Sequence, residues 1–589
     1  MKRKLWQSIS RRRDDHTDES KNQMARVMGI FDLTALGVGA TLGLGIYILA
    51  AEVAKNHAGP AVCISFLIAA IASALSGICY AEFASRVPKS GSAYIYSYVT
   101  VGEFIAFIIG WNLVFEYIIG TASVAKGLSK YIDSLSNNSI HEYQKSIVSF
   151  EFKNFAKYPD FFALLIVIIL TVFLCIGVKE SNYLNLIFGA INLTTIIIVI
   201  IAGAFNANIK YWQISPNKVT EINVNVGNGG FVPFEISGII SGAAQSFFGF
   251  IGFDAIASCS EESKNPKKNV PRAIIISLII IFISYMSIAI VLTLMWPYYL
   301  QNPDSAFPHV FKQVKMPEIG IIVNIGGLVA MIPSLIGALF PASRILNAMA
   351  NDGLIFKCFT SINKNTQTPI FATIISGIVT GIMTMIFDLE QLVSMASIGS
   401  LLAYSIVAMS VLFLRYQNHD NNKVVILNSN DDKNKPTTRD YLMQFFNLSK
   451  QKSPTDVTCK IASWTIFIFT IFSFIFAIMR NIIFSYRDDN YYCKIIGYIG
   501  LSTIGILLII LIIIIGRQPT AKVDIIFRVP CVPLIPCLSI FVNTLLMVYL
   551  NKMTWIRFVI WMTLGIAIYI LYGMKNSLQG KRDMQKNSS

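Results

Sequence analysis

Charge is scarce in this sequence. Only 14% of its 589 residues are charged, whereas soluble domains carry about a quarter, and 54% are hydrophobic. The mean hydropathy is +0.59. A single hydrophobic core stops growing at roughly 250–300 residues, so a chain this long and this apolar cannot hide its surface in a soluble fold. The composition therefore predicts a membrane protein, with lipid covering the remaining surface.

The sequence also lacks the groupings that metal sites, disulfide scaffolds and catalytic centres need. Its nine cysteines and five histidines are scattered, without a CxxC pair or a Cys–His cluster. No nucleophile–base constellation is present. We therefore expect no cofactor, no metal and no enzymatic activity. The N-terminus is polar and basic for almost 30 residues, so no cleavable signal peptide is predicted.

The net charge of +15 is compatible with nucleic-acid binding, but its distribution favours another explanation. The basic residues concentrate in the termini and between apolar runs. An excess of Lys and Arg in cytoplasmic loops is typical of polytopic membrane proteins. We therefore predict a lipid bilayer, and no nucleic acid, as the partner of this chain.

Apolar runs long enough to cross a membrane need about 20 residues. The sequence contains fourteen, at 30–50, 61–84, 94–126, 161–178, 183–205, 235–258, 273–295, 319–349, 370–387, 392–414, 458–479, 494–515, 532–550 and 555–573. We therefore predict an all-α polytopic membrane protein. Its expected parts are an N-terminal tail (1–29), a ten-span core (30–415), a linker (416–457), four further spans (458–573) and a C-terminal tail (574–589). The linker is rich in Asn, Asp and Lys, which predicts disorder.

Orientation follows from the basic clusters, because an even number of spans leaves both termini on one side. Clusters precede span one, follow span six and end the chain, all on the side of the termini, which is therefore predicted to be cytoplasmic. The loop 127–160 is then extracellular. Its Asn137-Asn138-Ser139 sequence is either a glycosylation acceptor at Asn137 or a chance match.

Spans one and six are interrupted by glycines. These are Gly37, Gly39, Gly43 and Gly45 in span one, and Gly249 and Gly252 in span six. Such a cluster at membrane depth is tolerated where protein or a cavity satisfies the freed backbone. Interrupted spans at matching places in two halves of a chain point to a transporter binding site, and close glycine-mediated helix packing is the alternative.

The chemistry of such breaks suits a zwitterion. The freed N–H groups and positive dipole at the start of a half-helix favour a carboxylate. Freed carbonyls at the end of a half-helix favour an ammonium group. Two broken helices, one of each kind, would hold the backbone of an amino acid.

Several distinctive segments follow one another along the chain. They include FDLTALGVGATLGLGIY (31–47), YAEFASRVPKSGSAYIYSY (80–98), GWNLVFEYIIGTASVAKG (110–127), FFGFIGFDAIASCSEESKNPKKNVPRAI (247–274) and VPCVPLIPCLSIFVNTLLMVYL (529–550). Together the chain resembles, over nearly its whole length, the cationic amino acid transporters of the amino acid–polyamine–organocation superfamily, in their fourteen-span branch.

The resemblance implies an inverted repeat of five plus five helices, with spans one and six broken, followed by four C-terminal spans. It implies that the N–H groups of Thr41, Leu44 and Gly45 bind the substrate carboxylate. The carbonyls of Phe248 and Ile251 are expected to bind the α-amine, and Phe248 also matches an aromatic gate. Leu44 departs from the small residue usual at its position, so its side chain is expected to crowd or reshape the pocket.

Four single residues extend this prediction. Glu116, deep in span three, is a substrate-site candidate or an anchor for freed backbone, because an ionised carboxylate at membrane depth is costly. Asp254 is a helix N-cap or a gating contact. Asn192 stands at the coupling position where proton-coupled relatives place a lysine, which predicts no proton symport; a buried Asn bonding across helices is the alternative. Ala338 either leaves room for a long substrate side chain or serves packing.

The expected function is sodium-independent, potential-driven uniport or exchange of arginine, lysine and ornithine across the plasma membrane, or a lysosomal or other endomembrane. An amino-acid sensor with little flux is an alternative. Neutral amino-acid exchange with a heavy chain is another, but those light chains use an extracellular Cys after span three. The loop 127–160 contains no Cys, so no disulfide-linked heavy chain is expected.

Overall fold

A computed structural model gives the fold. It describes residues 11, 26, 28–86, 92–136, 139–148, 155–177, 182–214, 226–363, 366, 368–417, 444–447, 451, 453–485, 491–521 and 526–588. Regular structure in these ranges is helical, apart from one isolated bridge between Met28 and Ser263. Ten of the described helices are long and apolar enough to cross a membrane, and four shorter apolar helices accompany them. The prediction of an all-α polytopic membrane protein is confirmed.

Each predicted span contains a helix. The bounds are Ile30–Thr41 and Gly45–Leu49 continuing through Ala50–Val53 and Ala54–Ala58 (span one), Val62–Arg86 (two), Glu103–Leu135 (three), Phe161–Ile176 (four), Asn182–Phe205 (five), Glu235–Ser246, Phe247–Phe250 and Asp254–Ser258 (six), Pro266–Met295 (seven), Pro317–Asn351 (eight), Ile370–Ile386 (nine), Leu389–Tyr416 (ten), Asp456–Ser485 (eleven), Tyr491–Arg517 (twelve), Leu534–Val548 (thirteen) and Lys552–Ile568 (fourteen). The glycine-rich spans one and six are the broken ones.

Span three differs from its predicted bounds of 94–126. A separate helix, Ser92–Thr100, comes first, and span three runs from Glu103 to Leu135. The two are divided at Gly102, whose φ of 140° ends the helical path. Hydropathy alone does not mark this turn. At the other end the helix continues because its charged residues find partners, as when Lys126 donates to the Thr384 carbonyl at 3.1 Å.

Spans one and six lie side by side in opposite directions. At one end, Met28 N–H donates to the Glu262 carbonyl at 2.9 Å, and Lys264 N–H donates to Met28 at 3.0 Å. At the other end, His57 and Ser241 form a side-chain hydrogen bond of 3.1 Å. The start of span one therefore meets the end of span six, which is the inverted relation that two opposed repeats require.

The four C-terminal spans are bound to the core through polar as well as apolar contacts. Trp111 and Trp561 stack with ring centroids 4.8 Å apart, and each indole N–H donates to the other residue's carbonyl, at 3.0 and 3.3 Å. A buried carboxylate, Glu82 of span two, accepts from Arg415 at 2.7 and 2.9 Å and from the Val529 amide at 2.7 Å. These contacts join the core to the segment before span thirteen.

Some predictions lie mainly outside the described residues. Asn137 is one of them, so its glycosylation stays a prediction. The disorder of the linker 416–457 also stays a prediction, although span eleven begins at Asp456, inside the predicted linker. The predicted tail 574–589 contains the helix Leu578–Ser588.

The Glu82 contacts predict the effect of neutralising this side chain. In the wild type, Arg86 lies 2.8 Å from the Glu82 carboxylate that also binds Arg415. Glu82→Gln leaves these two guanidinium groups close together without the shared negative charge. Breaking a buried ion pair costs on the order of 3 kcal/mol. We expect a clearly lower melting temperature for the purified variant in detergent.

The matched control is Asp583→Asn, because that carboxylate is 41% exposed and stands 4.0 Å from Arg11. Exposed pairs contribute roughly 0–1 kcal/mol, so its melting temperature should match the wild type. Equal melting temperatures for both variants and the wild type would contradict the role given to Glu82.

Candidate functional site at the helix breaks

The first break frees backbone amides in the middle of span one. The helix ends at Thr41, Leu42 leaves helical geometry with φ −81° and ψ 53°, and helix resumes at Gly45. Among the described residues, no hydrogen bond engages the amides of Gly43, Leu44 or Gly45. These amides stand at the start of a half-helix, the arrangement that binds anions.

The backbone amide of Thr41, which was expected to be free, lies within a helix. It belongs to the last turn of the first half-helix and is not freed by the break. The Thr41 hydroxyl donates to the Gly37 carbonyl at 2.8 Å. The unwinding begins one residue later, so Gly43 rather than Thr41 supplies the first free donor.

Asn192 of span five satisfies the carbonyl that the first break releases. Its amide nitrogen donates to the Leu42 carbonyl, and its oxygen accepts from the Tyr47 hydroxyl at 2.7 Å. Tyr131 in turn donates to the Tyr47 carbonyl at 3.0 Å. Asn192 is 3% exposed. The residue at the predicted coupling position is therefore a neutral cross-link that braces the break.

The second break occupies the middle of span six. After Glu235–Ser246 the chain forms a single 3-10 turn, Phe247–Phe250, and then Ile251 is extended with ψ 136°. Gly252 follows with φ 122°, a value that residues other than glycine rarely adopt. The helix resumes at Asp254. A Cβ at Gly252 would also stand 2.9 Å from the Thr41 hydroxyl, so the two breaks touch here.

The two carbonyls predicted to bind an ammonium are not equivalent. The Phe248 carbonyl already accepts from the Ile251 amide at 3.1 Å, which leaves one of its lone pairs. Among the described residues, no backbone donor reaches the Ile251 carbonyl. The Ile251 carbonyl is therefore the freer acceptor of the two.

A cavity with an empty volume of about 640 Å³ joins the two breaks. Its lining includes Thr41, Leu44, Gly45, Glu116, Phe248, Ile251, Asp254 and Ala338, all of them predicted site or gating residues. Asn192 is the predicted residue that stands behind the break instead of lining the cavity. The structure thus gathers residues from spans one, three, six and eight at one place, and their roles in binding remain predictions.

A narrower space, with an empty volume of about 290 Å³, lies on the opposite side of the breaks. It shares Leu44, Gly45 and Phe248 with the larger cavity, and adds residues from the second half of span one and the start of span ten. Phe248 therefore lies between the two spaces, and its role as an aromatic gate stays a prediction.

Two buried carboxylates face the larger cavity. Glu116 is 2% exposed and Asp254 is 1% exposed. Tyr117 donates to Asp254 at 3.1 Å, while the Glu116 oxygens have no hydrogen-bond partner among the described residues. Among the described residues that line the cavity, there is no Lys, Arg or His. A site with two acidic groups and no basic one favours a cation.

Leu44 lines both cavities, and its side chain also packs against a neighbouring helix, so the expectation that it reshapes the pocket stays a prediction. The side chain is directed at span three, where a Cβ on Gly127 would come within 1.9 Å of the Leu44 methyl carbon. Leu44 is 2% exposed. The absence of a side chain at Gly127 accommodates the larger residue at position 44.

Among the lining residues that sequence reasoning missed, two are polar, Tyr117 and Ser334. Ser334 donates to the Gly39 carbonyl at 3.4 Å and lies against Gly43, where a Cβ would stand 2.1 Å from its oxygen. A small polar residue one turn before Ala338 was a usable signal. Tyr117 follows Glu116 directly, but its bond to Asp254 depends on tertiary contact.

Comparison with known proteins now decides the family. The model of the family described as "Amino acid permease" matches residues 28–483, and that of the C-terminus of these permeases matches residues 527–577. The chain belongs to the cationic amino acid transporter family. Cationic amino acid transporter 4 of Homo sapiens is 35% identical over 99% of this chain and 92% of its own length.

Further relatives come from mouse and from a plant. Cationic amino acid transporter 4 of Mus musculus is 36% identical over 98% of this chain and 92% of its own length. Cationic amino acid transporter 2, vacuolar, of Arabidopsis thaliana is 34% identical over 94% of this chain and 90% of its own length. Another plant relative of this family is named mitochondrial. The family is therefore distributed over several membranes, and the chain is an integral, multi-pass member of it.

The bracing of the first break predicts the effect of changing Asn192. Asn192→Asp keeps the size but loses the donor to the Leu42 carbonyl, so that buried groups lose their partners at a cost of about 1–3 kcal/mol. Tyr47→Phe removes one of the two bonds and should cost less. Melting temperatures of the purified variants test this order. A melting temperature of Asn192→Asp at or above that of Tyr47→Phe would contradict the bracing role.

Proposed function

We propose that this chain carries cationic L-amino acids such as arginine, lysine and ornithine across a membrane by alternating access. The observation that supports this most is the cavity between the breaks, where Glu116 and Asp254 are buried together without a basic lining residue. Buried charges are costly unless they are paired. A cationic cargo is the natural counter-charge, and the relatives named as cationic amino acid transporters support the same substrate class.

Recognition of the amino-acid backbone falls to the two breaks. The free amides of Gly43, Leu44 and Gly45 suit the α-carboxylate. The Ile251 carbonyl, with the remaining lone pair of Phe248, suits the α-amine. The cargo side chain then extends toward Glu116, and the small Ala338 leaves it room.

Membrane potential suffices as the driving force for such a cargo. One charge moving through 100 mV gains about 2.3 kcal/mol, which corresponds to roughly 50-fold accumulation. Asn192 supports the absence of proton coupling, because the neutral amide, which bonds Leu42 and Tyr47, has no titratable group that could take up and release a proton. We therefore infer sodium-independent uniport or exchange, and no proton symport.

The two cavities support alternating access around Phe248. With the termini cytoplasmic, the larger cavity faces the cytoplasm and the smaller one faces outward. The plasma membrane is the proposed location. Surface labelling of the expressed chain with tagged termini tests both the membrane and the orientation.

Uptake of labelled arginine into expressing cells or vesicles tests the function. We expect saturable uptake that lysine and ornithine inhibit and leucine does not. Replacing sodium should leave the rate unchanged, and depolarisation should abolish accumulation. Stimulation by a pH gradient at fixed voltage, or inhibition by leucine alone, would contradict the proposal. Arginine binding without any flux in vesicles would favour a sensor instead.

Glu116→Gln tests the proposed counter-charge. The variant keeps the shape of the side chain but removes the anion that faces the cavity, so arginine uptake should fall roughly tenfold or more at equal surface expression. The matched control is Glu142→Gln, because Glu142 is exposed outside the spans. Wild-type uptake by a correctly delivered Glu116→Gln protein would refute the role of Glu116.

A further inference from the structure

Span seven brings a tyrosine against both helix breaks. A Cβ added to Gly45 would stand 2.2 Å from the Tyr285 hydroxyl, and a Cβ added to Gly249 would stand 2.7 Å from the ring carbon that carries it. The ring is held in place by Phe66, with centroids 5.0 Å apart and nearly parallel planes, and by Phe250 at 5.4 Å. Gly45 and Gly249 are therefore glycines because the Tyr285 ring occupies the space of their side chains.

The hydroxyl at the end of this ring has no hydrogen-bond partner in the part of the chain that the structure describes. Tyr285 is 0% exposed, and among the described residues no hydrogen bond reaches its oxygen. Two other buried tyrosines beside the first break are satisfied, since Tyr47 donates to Asn192 and Tyr131 donates to the Tyr47 carbonyl. An unmade hydrogen bond of a buried polar group is unfavourable, which indicates that the Tyr285 hydroxyl finds its partner in another state of the protein.

The position of the hydroxyl points to that partner. It lies in contact with Gly45, the residue at which the second half-helix of span one begins. The free amides of Gly43, Leu44 and Gly45 belong to the same break. An anion held by these amides comes close to the one unpaired O–H donor that contacts Gly45 among the described residues.

We propose that the Tyr285 hydroxyl is a further binding group for the α-carboxylate of the substrate, to which it donates a hydrogen bond beside the amides of the first break. This inference rests on the proposed function. Tyr285 is not among the residues that line the larger cavity. The contact therefore forms when the loaded break changes shape, and the hydroxyl goes from unpaired to paired as substrate binds.

Tyr285→Phe isolates the hydroxyl, because it leaves the ring and its packing unchanged. The unliganded variant should melt at or above the wild-type temperature, since it loses an unsatisfied group. Its affinity for arginine, measured by binding to the purified protein, should be about tenfold weaker, as expected for one hydrogen bond to a charged group. Its affinity for arginine amide, which lacks the carboxylate charge, should change less than twofold.

Tyr298→Phe is the matched control. Tyr298 is equally buried and follows span seven, but its hydroxyl donates to the Val226 carbonyl at 2.6 Å, away from the breaks. This variant should melt at a lower temperature and bind arginine like the wild type.

Arginine affinity that is unchanged in Tyr285→Phe, or weakened equally for arginine and its amide, would overturn the proposal. Failure of the proposed substrate class is a separate outcome, because the wild-type protein would then not bind arginine. In that case the same comparison is made with leucine and leucine amide, since the inferred contact concerns the carboxylate that all amino acids share.

Discussion

Backbone groups at membrane depth must be hydrogen-bonded, and this constraint governs the centre of the molecule. Both central breaks release groups that water would satisfy in a soluble protein. Asn192 takes up the Leu42 carbonyl, and the Phe248 carbonyl bonds the Ile251 amide. Among the described residues the amides of Gly43 to Gly45 are left over. These unpaired donors call for a hydrogen-bond acceptor, which a bound ligand can supply.

The same reasoning applies to charge. Elsewhere in the described chain, buried carboxylates are matched by donors, as Glu82 is by Arg415, and Glu103 by the hydroxyls of Tyr98, Tyr569 and Ser577. Glu116 differs from them because no hydrogen bond reaches its oxygens in the described structure. It faces the cavity instead. Satisfied carboxylates hold the fold together, whereas the unsatisfied one is the group that we propose to pair with a cationic cargo.

Packing at the breaks explains why so many glycines are needed. Gly252 adopts a φ of 122°, but others serve close approach: Gly43 faces Ser334, Gly45 and Gly249 face Tyr285, and Gly127 receives Leu44. The broken spans are therefore enclosed by spans three, seven and eight. Any change in the backbone of the breaks has to be accommodated by these neighbours, because their side chains occupy the space that the glycines leave.

The sequence by itself determined the membrane class, the helical spans and the location of both breaks, because hydropathy and glycine clusters are local properties of the chain. Family motifs led to the residues that line the cavity. Only the tertiary structure decided that Gly43 rather than Thr41 is the first free donor, that Leu44 turns toward Gly127, that Gly102 separates a helix from span three, and that Tyr285 lies across both breaks. Each of these depends on where a neighbouring helix stands, and contacts between distant segments leave no periodic or compositional trace in the chain.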